Sequence, residues 1–162
     1  MNNKKRAIAL GNFDGIHKGH TAVIDAAVQA AREGDMVPTV LILSPLPSCV
    51  IDSREAPALV TEADKDKLFA DMGVEVVRID FLKIKDYAPQ EFFVKILAGE
   101  LNAGMLSCGF NYRFGKGGEG GTGGTSTTDT TGKATNGGNT SFSVGGVDYI
   151  TAFGGGGAGG SW

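Results

Sequence analysis

No stretch of the chain approaches the ~20 consecutive apolar residues that a membrane-spanning helix needs. The N-terminus, MNNKKR, is basic, but the apolar run behind it, AIAL, is too short for a signal peptide. No basic excess is present either: net charge is -3 and the pI about 5.3. A nucleic-acid surface would need a basic patch or stripe, so neither nucleic acid nor membrane is an expected partner. Any anionic ligand must be held by local groups and not by a global field. The two cysteines, Cys49 and Cys108, have no metal-type spacing and sit near the ends of apolar runs, which reads as free thiols in a reducing, cytoplasmic setting. Histidine is as scarce as cysteine. Both histidines, His17 and His20, fall within GNFDGIHKGH, residues 11–20.

Glycine is abundant but unevenly placed: 18 of the 26 glycines lie at or after Gly115. Beyond Lys116 the charged residues are only Glu119, Asp129, Lys133 and Asp148. A segment such as GGEGGTGGTSTTDTTGKATNGGNT buries too little apolar area to offset its ordering entropy. The chain therefore divides into a domain over 1–116 and a Gly/Thr/Ser-rich tail over 117–162, with a short hairpin at 141–153 around Gly145-Gly146. Its length suits one such domain, acting as a monomer.

The first 116 residues alternate between strand and helix patterns. RAIALGNF is an apolar run of strand length. A helix follows from Lys18 to Glu33, in which Val23, Ala27 and Ala31 recur at i+4, as do Ile24 and Val28, with Gly34 where the helix stops. VPTVLILS is a second strand. TEADKDKLFADMG starts with the capping pair Thr61 and Asp64, places Leu68 and Met72 on a shared face, and ends at Gly73. VEVVRID is a third strand. PQEFFVKILAGEL opens with Pro89 in its first turn and buries Phe93, Ile96 and Leu97. GMLSCGF is a fourth strand. This alternation, with continuously apolar strands, predicts an α/β fold: a Rossmann-like parallel sheet with helices on both faces.

Ligands of such sheets bind beyond the carboxyl ends of the strands, and GNFDGIHKGH is the turn between the first strand and the first helix. Gly11, Gly15 and Gly19 let backbone approach a ligand. The helix N-terminus offers unpaired N–H groups and a partial positive charge, which suit phosphate. His17 and His20, at i and i+3, share one side of that helix start. Two imidazoles there can donate to phosphoryl oxygens, which fits nucleotidyl transfer. The stretch is neither G-x-G-x-x-G nor a Walker loop. No third or fourth ligand completes a zinc site around His-x-x-His, so no metal is expected on these residues.

ALGNFDGIHKGH resembles the G-x-F-D-G-x-H-x-G-H signature of the adenylyltransferase domain of bacterial bifunctional riboflavin kinase/FMN adenylyltransferases, within the wider H-x-G-H nucleotidyltransferase superfamily. VTEADKDKLFADMGVEVVRIDF, APQEFFVKIL and CGFNYRFGKGGEG are similar to further motifs of that family, and the likeness runs from about residue 6 to 120. The resemblance implies AMP transfer from ATP, carried with Mg²⁺, to FMN, giving FAD and pyrophosphate. It implies an ATP site of Gly11, Asn12, Phe13, Asp14, Gly15, His17, Gly19 and His20. His17 and His20 would contact the phosphates and stabilise the transition state. Asn111, Arg113 and Phe114 would lie on the flavin side.

The chain departs from the family pattern in two places. SPLPS carries Leu46 where the family has the histidine of a Pro-His-Pro turn. The family's Ser-Ser-Thr-x-x-Arg motif has no counterpart, since GTSTTDTTGK lacks both the arginine and the strand-to-helix setting. No riboflavin kinase domain is expected within these residues. Each missing donor removes a contact to phosphate. The pattern therefore leaves two readings: an adenylyltransferase with impaired turnover, or a module that binds nucleotide or flavin without turning it over. A third, an H-x-G-H transferase with another acceptor, is opposed by FNYRFG.

Overall fold

The computed structural model describes residues 4–13, 15–16, 18–51, 60–109 and 112–116, and the backbone of two strands at 140–144 and 147–152. Strands β1 (Arg6–Leu10), β2 (Val37–Ser44), β3 (Glu75–Asp80) and β4 (Ala103–Cys108) form a parallel sheet. Two further strands, β5 (Thr140–Val144) and β6 (Val147–Ala152), pair antiparallel, and β6 joins the edge of β4. The order across the sheet is β3-β2-β1-β4-β6-β5. The segment between 117 and 139, to which the flexible-tail expectation applies, lies outside the described residues.

Because strand side chains alternate, each central strand feeds two cores. Ala7 and Ala9 of β1, with Val40 and Ile42 of β2, pack under Val23, Ile24, Ala27 and Ala31 of α1 (Lys18–Glu33) and Phe69 of α3 (Glu62–Asp71). Ile8, Leu10, Leu41 and Leu43 point the other way. They meet Phe81 and Ile84 of α4 (Phe81–Ile84) and Phe92, Phe93, Ile96 and Leu97 of the helix that closes that face. Helices on both faces of a parallel sheet are the predicted α/β architecture. A short helix, α2 (Pro47–Ile51), follows β2.

Local structure departs from the sequence reading in three places. The Pro89 helix is α-helical only over α5 (Pro89–Glu91) and then widens to π-helix over Phe92–Glu100, closing with Leu101 N–H donating to the Ile96 carbonyl at 2.9 Å. Its buried face holds Phe93, Ile96 and Leu97 as expected, with Phe92 added. In α3 the buried residues are Lys65 and Phe69; of the pair expected to share a face, Met72 is partly buried against that core, whereas Leu68 is 39% exposed. After α1 the left-handed residue is Asp35 (φ 48), one place beyond Gly34.

Helix α3 is held at both ends. The Thr61 hydroxyl accepts from the Asp64 N–H at 3.2 Å. At the other end Gly73 (φ 71) sends its N–H to Ala70 and Val74 sends its own to Phe69, both pairs that define a left-handed helix stop.

Candidate active site

The parallel pairing of β1 with β2 and β4 brings three loops to one edge of the sheet: residues 11–17 after β1, the Leu46 turn after β2, and residues 109–116 after β4. Among the residues expected to bind ATP, Gly11, Asn12, Phe13, Gly15, Gly19 and His20 are described. Asp14 and His17 lie outside the described residues, as does Asn111 on the flavin side.

His20 is not on an exposed turn. It is 7% exposed, on the first turn of α1, and its Nδ1 lies 2.8 Å from the Gly15 carbonyl oxygen. A carbonyl only accepts, so Nδ1 carries the proton in that bond. This fixes the tautomer of the neutral ring, with its proton on Nδ1; donation from Nε2 requires the imidazolium. Gly15 sits at φ 94, a conformation that favours glycine, and this turns its carbonyl back towards the helix.

Phe13 is the structural centre of the turn. It is fully buried with φ 46, uncommon for a bulky residue. Its ring lies 5.2 Å from the His20 ring and 5.9 Å, edge-on at 84°, from that of Phe69. The space over Gly11 belongs to this ring: a Cβ on Gly11 would come within 3.0 Å of Phe13 Cζ. A side chain on Gly11 would therefore press on the Phe13 ring. Gly19 is buried in the first turn of α1, and Asn12 is half-buried.

The loop after β4 separates its residues. Arg113 is exposed, whereas Tyr112 and Phe114 are buried. Phe114 packs 5.7 Å from Phe92 and 6.3 Å from Tyr112, so its ring supports the loop from the core side. Lys116 N–H donates to the Tyr87 carbonyl at 2.8 Å. Leu46 stands half-buried before α2, its carbonyl accepting from Cys49 and Val50. Both cysteines are free thiols; burial pushes Cys108, at the end of β4, up to about 11. Among the described residues no group of three His, Cys, Asp or Glu could hold a metal ion, and no helix is long and apolar enough to cross a membrane.

Phe69 packs against Phe13 under the turn, and Lys65 is buried on the same helix; sequence reasoning named neither. Their i, i+4 spacing was the available signal, and it was obscured because a lysine occupied one of the two positions.

A glycine-rich turn leading from the first strand of a parallel sheet into a helix that opens with G-H defines an α/β protein of the nucleotidyltransferase-like fold. The chain belongs to the FAD synthetase family, which it matches over residues 1–144. It is 34% identical over 117 residues to the bifunctional riboflavin kinase/FMN adenylyltransferase of Listeria monocytogenes, covering 70% of this chain and 37% of that protein. The Escherichia coli K12 protein of the same name is 31% identical over 68% of this chain and 36% of its own length. The Bacillus subtilis protein, also so named, is 35% identical over 69% and 36%. The chain thus spans little more than a third of these relatives. Among solved structures, one titled a macrolide-efflux protein from Streptococcus pneumoniae superposes with a TM-score of 0.58 at 28% identity, covering 68% of this chain and 39% of that one.

Proposed function

We propose that this chain is an FMN adenylyltransferase domain that binds ATP-Mg and FMN and transfers AMP slowly, acting as a cytoplasmic monomer. The observation that carries the reading is His20, buried at the start of α1 with Nδ1 held by the Gly15 carbonyl at 2.8 Å, in a chain of the FAD synthetase family. The nucleotide phosphates lie against the loop of Gly11, Asn12, Phe13, Asp14 and Gly15 and the first turn of α1, where Gly19 allows close approach. The first turn of α1 and the Nε2 of His20, with His17, meet phosphoryl oxygens. Asn111 and Arg113 face the flavin, and Phe114 anchors their loop.

The FMN phosphate is already ionised near neutral pH and needs no general base. One of its oxygens forms a bond to the ATP α-phosphorus while the bond from that phosphorus to the bridging oxygen breaks, and pyrophosphate leaves with the electron pair. Mg²⁺ carried in with ATP would supply charge neutralisation on the pyrophosphate. The protein's part is positioning and donation.

Leu46 favours the second reading, a binding module without turnover, because an aliphatic side chain cannot donate to phosphate. Calorimetry with ATP-Mg and with FMN, paired with chromatographic detection of FAD, separates the two. Binding with slow FAD formation supports the proposal, binding without any FAD supports the module, and binding of neither ligand overturns both.

A further inference from the structure

We infer that Phe69, on α3, is a positioning residue for His20, acting through Phe13. The link from α3 to the nucleotide turn is a run of three rings. Phe69 is fully buried and presents an edge to Phe13 at 5.9 Å, and Phe13 lies 5.2 Å from His20 at a tilt of 52°. Edge-to-face contacts of this kind are directional, since ring edge and ring face carry opposite partial charge.

Two features make this run an orienting device as well as packing. Phe13 keeps a left-handed backbone (φ 46), which persists only where surroundings over-determine it. Gly11 beneath the ring and Phe69 at its flank are those surroundings. Phe69 in turn sits on a helix fixed at both ends by the Thr61 cap and the Gly73 stop, so its own place does not drift. A site is only as well ordered as the groups that support it. With Phe69 cut back, Phe13 is free to tilt. The His20 ring then swings away from the Gly15 carbonyl, and the tautomer that presents Nε2 is no longer enforced. The catalytic meaning of this orientation rests on the proposed function; the orientation itself does not.

Imidazole nitrogen NMR of the ligand-free protein, at a pH where the ring is neutral, reads the tautomer directly. The chain has two histidines, and a His17→Gln variant assigns them. Wild-type His20 is expected to show widely separated Nδ1 and Nε2 shifts, the mark of one tautomer. In Phe69→Leu the two shifts converge. Phe69→Met, closer in volume, serves if the leucine variant does not fold. Phe81→Leu is the control: an equally buried phenylalanine on the opposite face of the sheet, whose loss costs core packing but leaves the His20 shifts as in wild type. Unchanged shifts in both Phe69 variants, or the same convergence in Phe81→Leu, overturn the inference. The spectrum needs neither ATP nor FMN, so its outcome stands whether or not the chain makes FAD.

Discussion

Gly115 lies flat against Pro89: a Cβ on Gly115 would fall 2.7 Å from the proline Cδ, Cγ and N, and its φ is +80. Two stretches that are separate in the sequence, APQEF and YRFGK, therefore pack together. The Lys116–Tyr87 hydrogen bond and the Phe114–Phe92 contact flank the same junction. Gly115→Ala adds backbone strain of roughly 1–2 kcal/mol to an overpacking cost of roughly 1–3 kcal/mol. Urea unfolding should show a loss of about 2–5 kcal/mol, and FMN affinity should fall with it. A variant as stable as wild type would mean that the junction yields freely.

His20 separates folding from function. His20→Ala removes the Nδ1 donor from the half-buried Gly15 carbonyl, costing about 1 kcal/mol of stability, and lowers FAD formation by about 100-fold or more, as for loss of one preorganised donor. His20→Asn keeps a side-chain N–H near the position of Nδ1 but has nothing in place of Nε2. It should recover most of the stability and none of the turnover. Recovery of activity in the asparagine variant would remove Nε2 from the mechanism.

The strand and helix order was legible because β1 and β2 are mostly apolar runs and α1 repeats its apolar residues at i+4; the observed helix is Lys18–Glu33. The stripe of α3 was not legible, because Lys65 is buried with its ammonium bonded to Glu62, and an apolar-periodicity argument assigns lysine to solvent. The π-helical stretch was hidden for another reason: widening the hydrogen-bond ladder by one residue leaves the apolar spacing of Phe93, Ile96 and Leu97 readable as an ordinary helix. The site was legible as a motif but not as a geometry. Nothing in GNFDGIHKGH says that its phenylalanine occupies the space over its first glycine.

Glu62 links α3 to β3. Its carboxylate accepts from Lys65 Nζ at 3.1 Å and from Arg78 Nη2 at 3.2 Å, and Arg78 also holds Asp66. The Lys65 hydrogen bond first, with Arg78 adding to it against some desolvation, holds the Glu62 carboxyl below the usual carboxylate range. A folded pKa below the unfolded one gives stability that is present above the unfolded value and lost as pH falls through the folded one. The Glu62 side chain is 61% exposed, so solvent screens the effect to about 1 kcal/mol. Glu62→Gln should be less stable than wild type by that amount at neutral pH, and the two unfolding curves should converge in acid. A constant gap across the acid range would assign the difference to packing alone.

Cys108 gives the opposite limb. Burial lifts its thiol from the usual 9.0 to about 11, and the thiolate is the reactive form. Alkylation of native protein near pH 8 should be slow at Cys108 and become fast on unfolding, as followed by mass spectrometry of the two cysteine peptides. The raised folded pKa means that its contribution to stability is complete below pH 9 and is lost as pH rises towards 11. Cys108→Ala should lack that alkaline decline. Rapid native labelling of Cys108 would show the end of β4 to be open to solvent.

Leu46 tests which element limits turnover. Leu10 of β1 pairs in register with Leu41 of β2, so the loops that leave these strands emerge side by side, and Leu46 stands on the same sheet edge as the turn that carries Phe13 and His20. Its backbone is fixed by Cys49 and Val50, whose N–H groups donate to the Leu46 carbonyl at 3.0 and 3.3 Å. A histidine in its place needs no rebuilding of the turn, and because Leu46 is half-buried the new ring is not forced into the core. One preorganised donor to a developing phosphoryl charge is worth roughly 3–4 kcal/mol; a donor placed without a supporting shell delivers part of that. Leu46→His is therefore expected to raise FAD formation by about 10-fold or more, with most of the gain in kcat if the new contact strengthens in the transition state. A gain confined to KM would mean uniform phosphate binding. If ATP affinity and turnover both stay at wild-type levels, Leu46 is not the limiting departure, and the missing arginine motif is left as the cause of slow transfer.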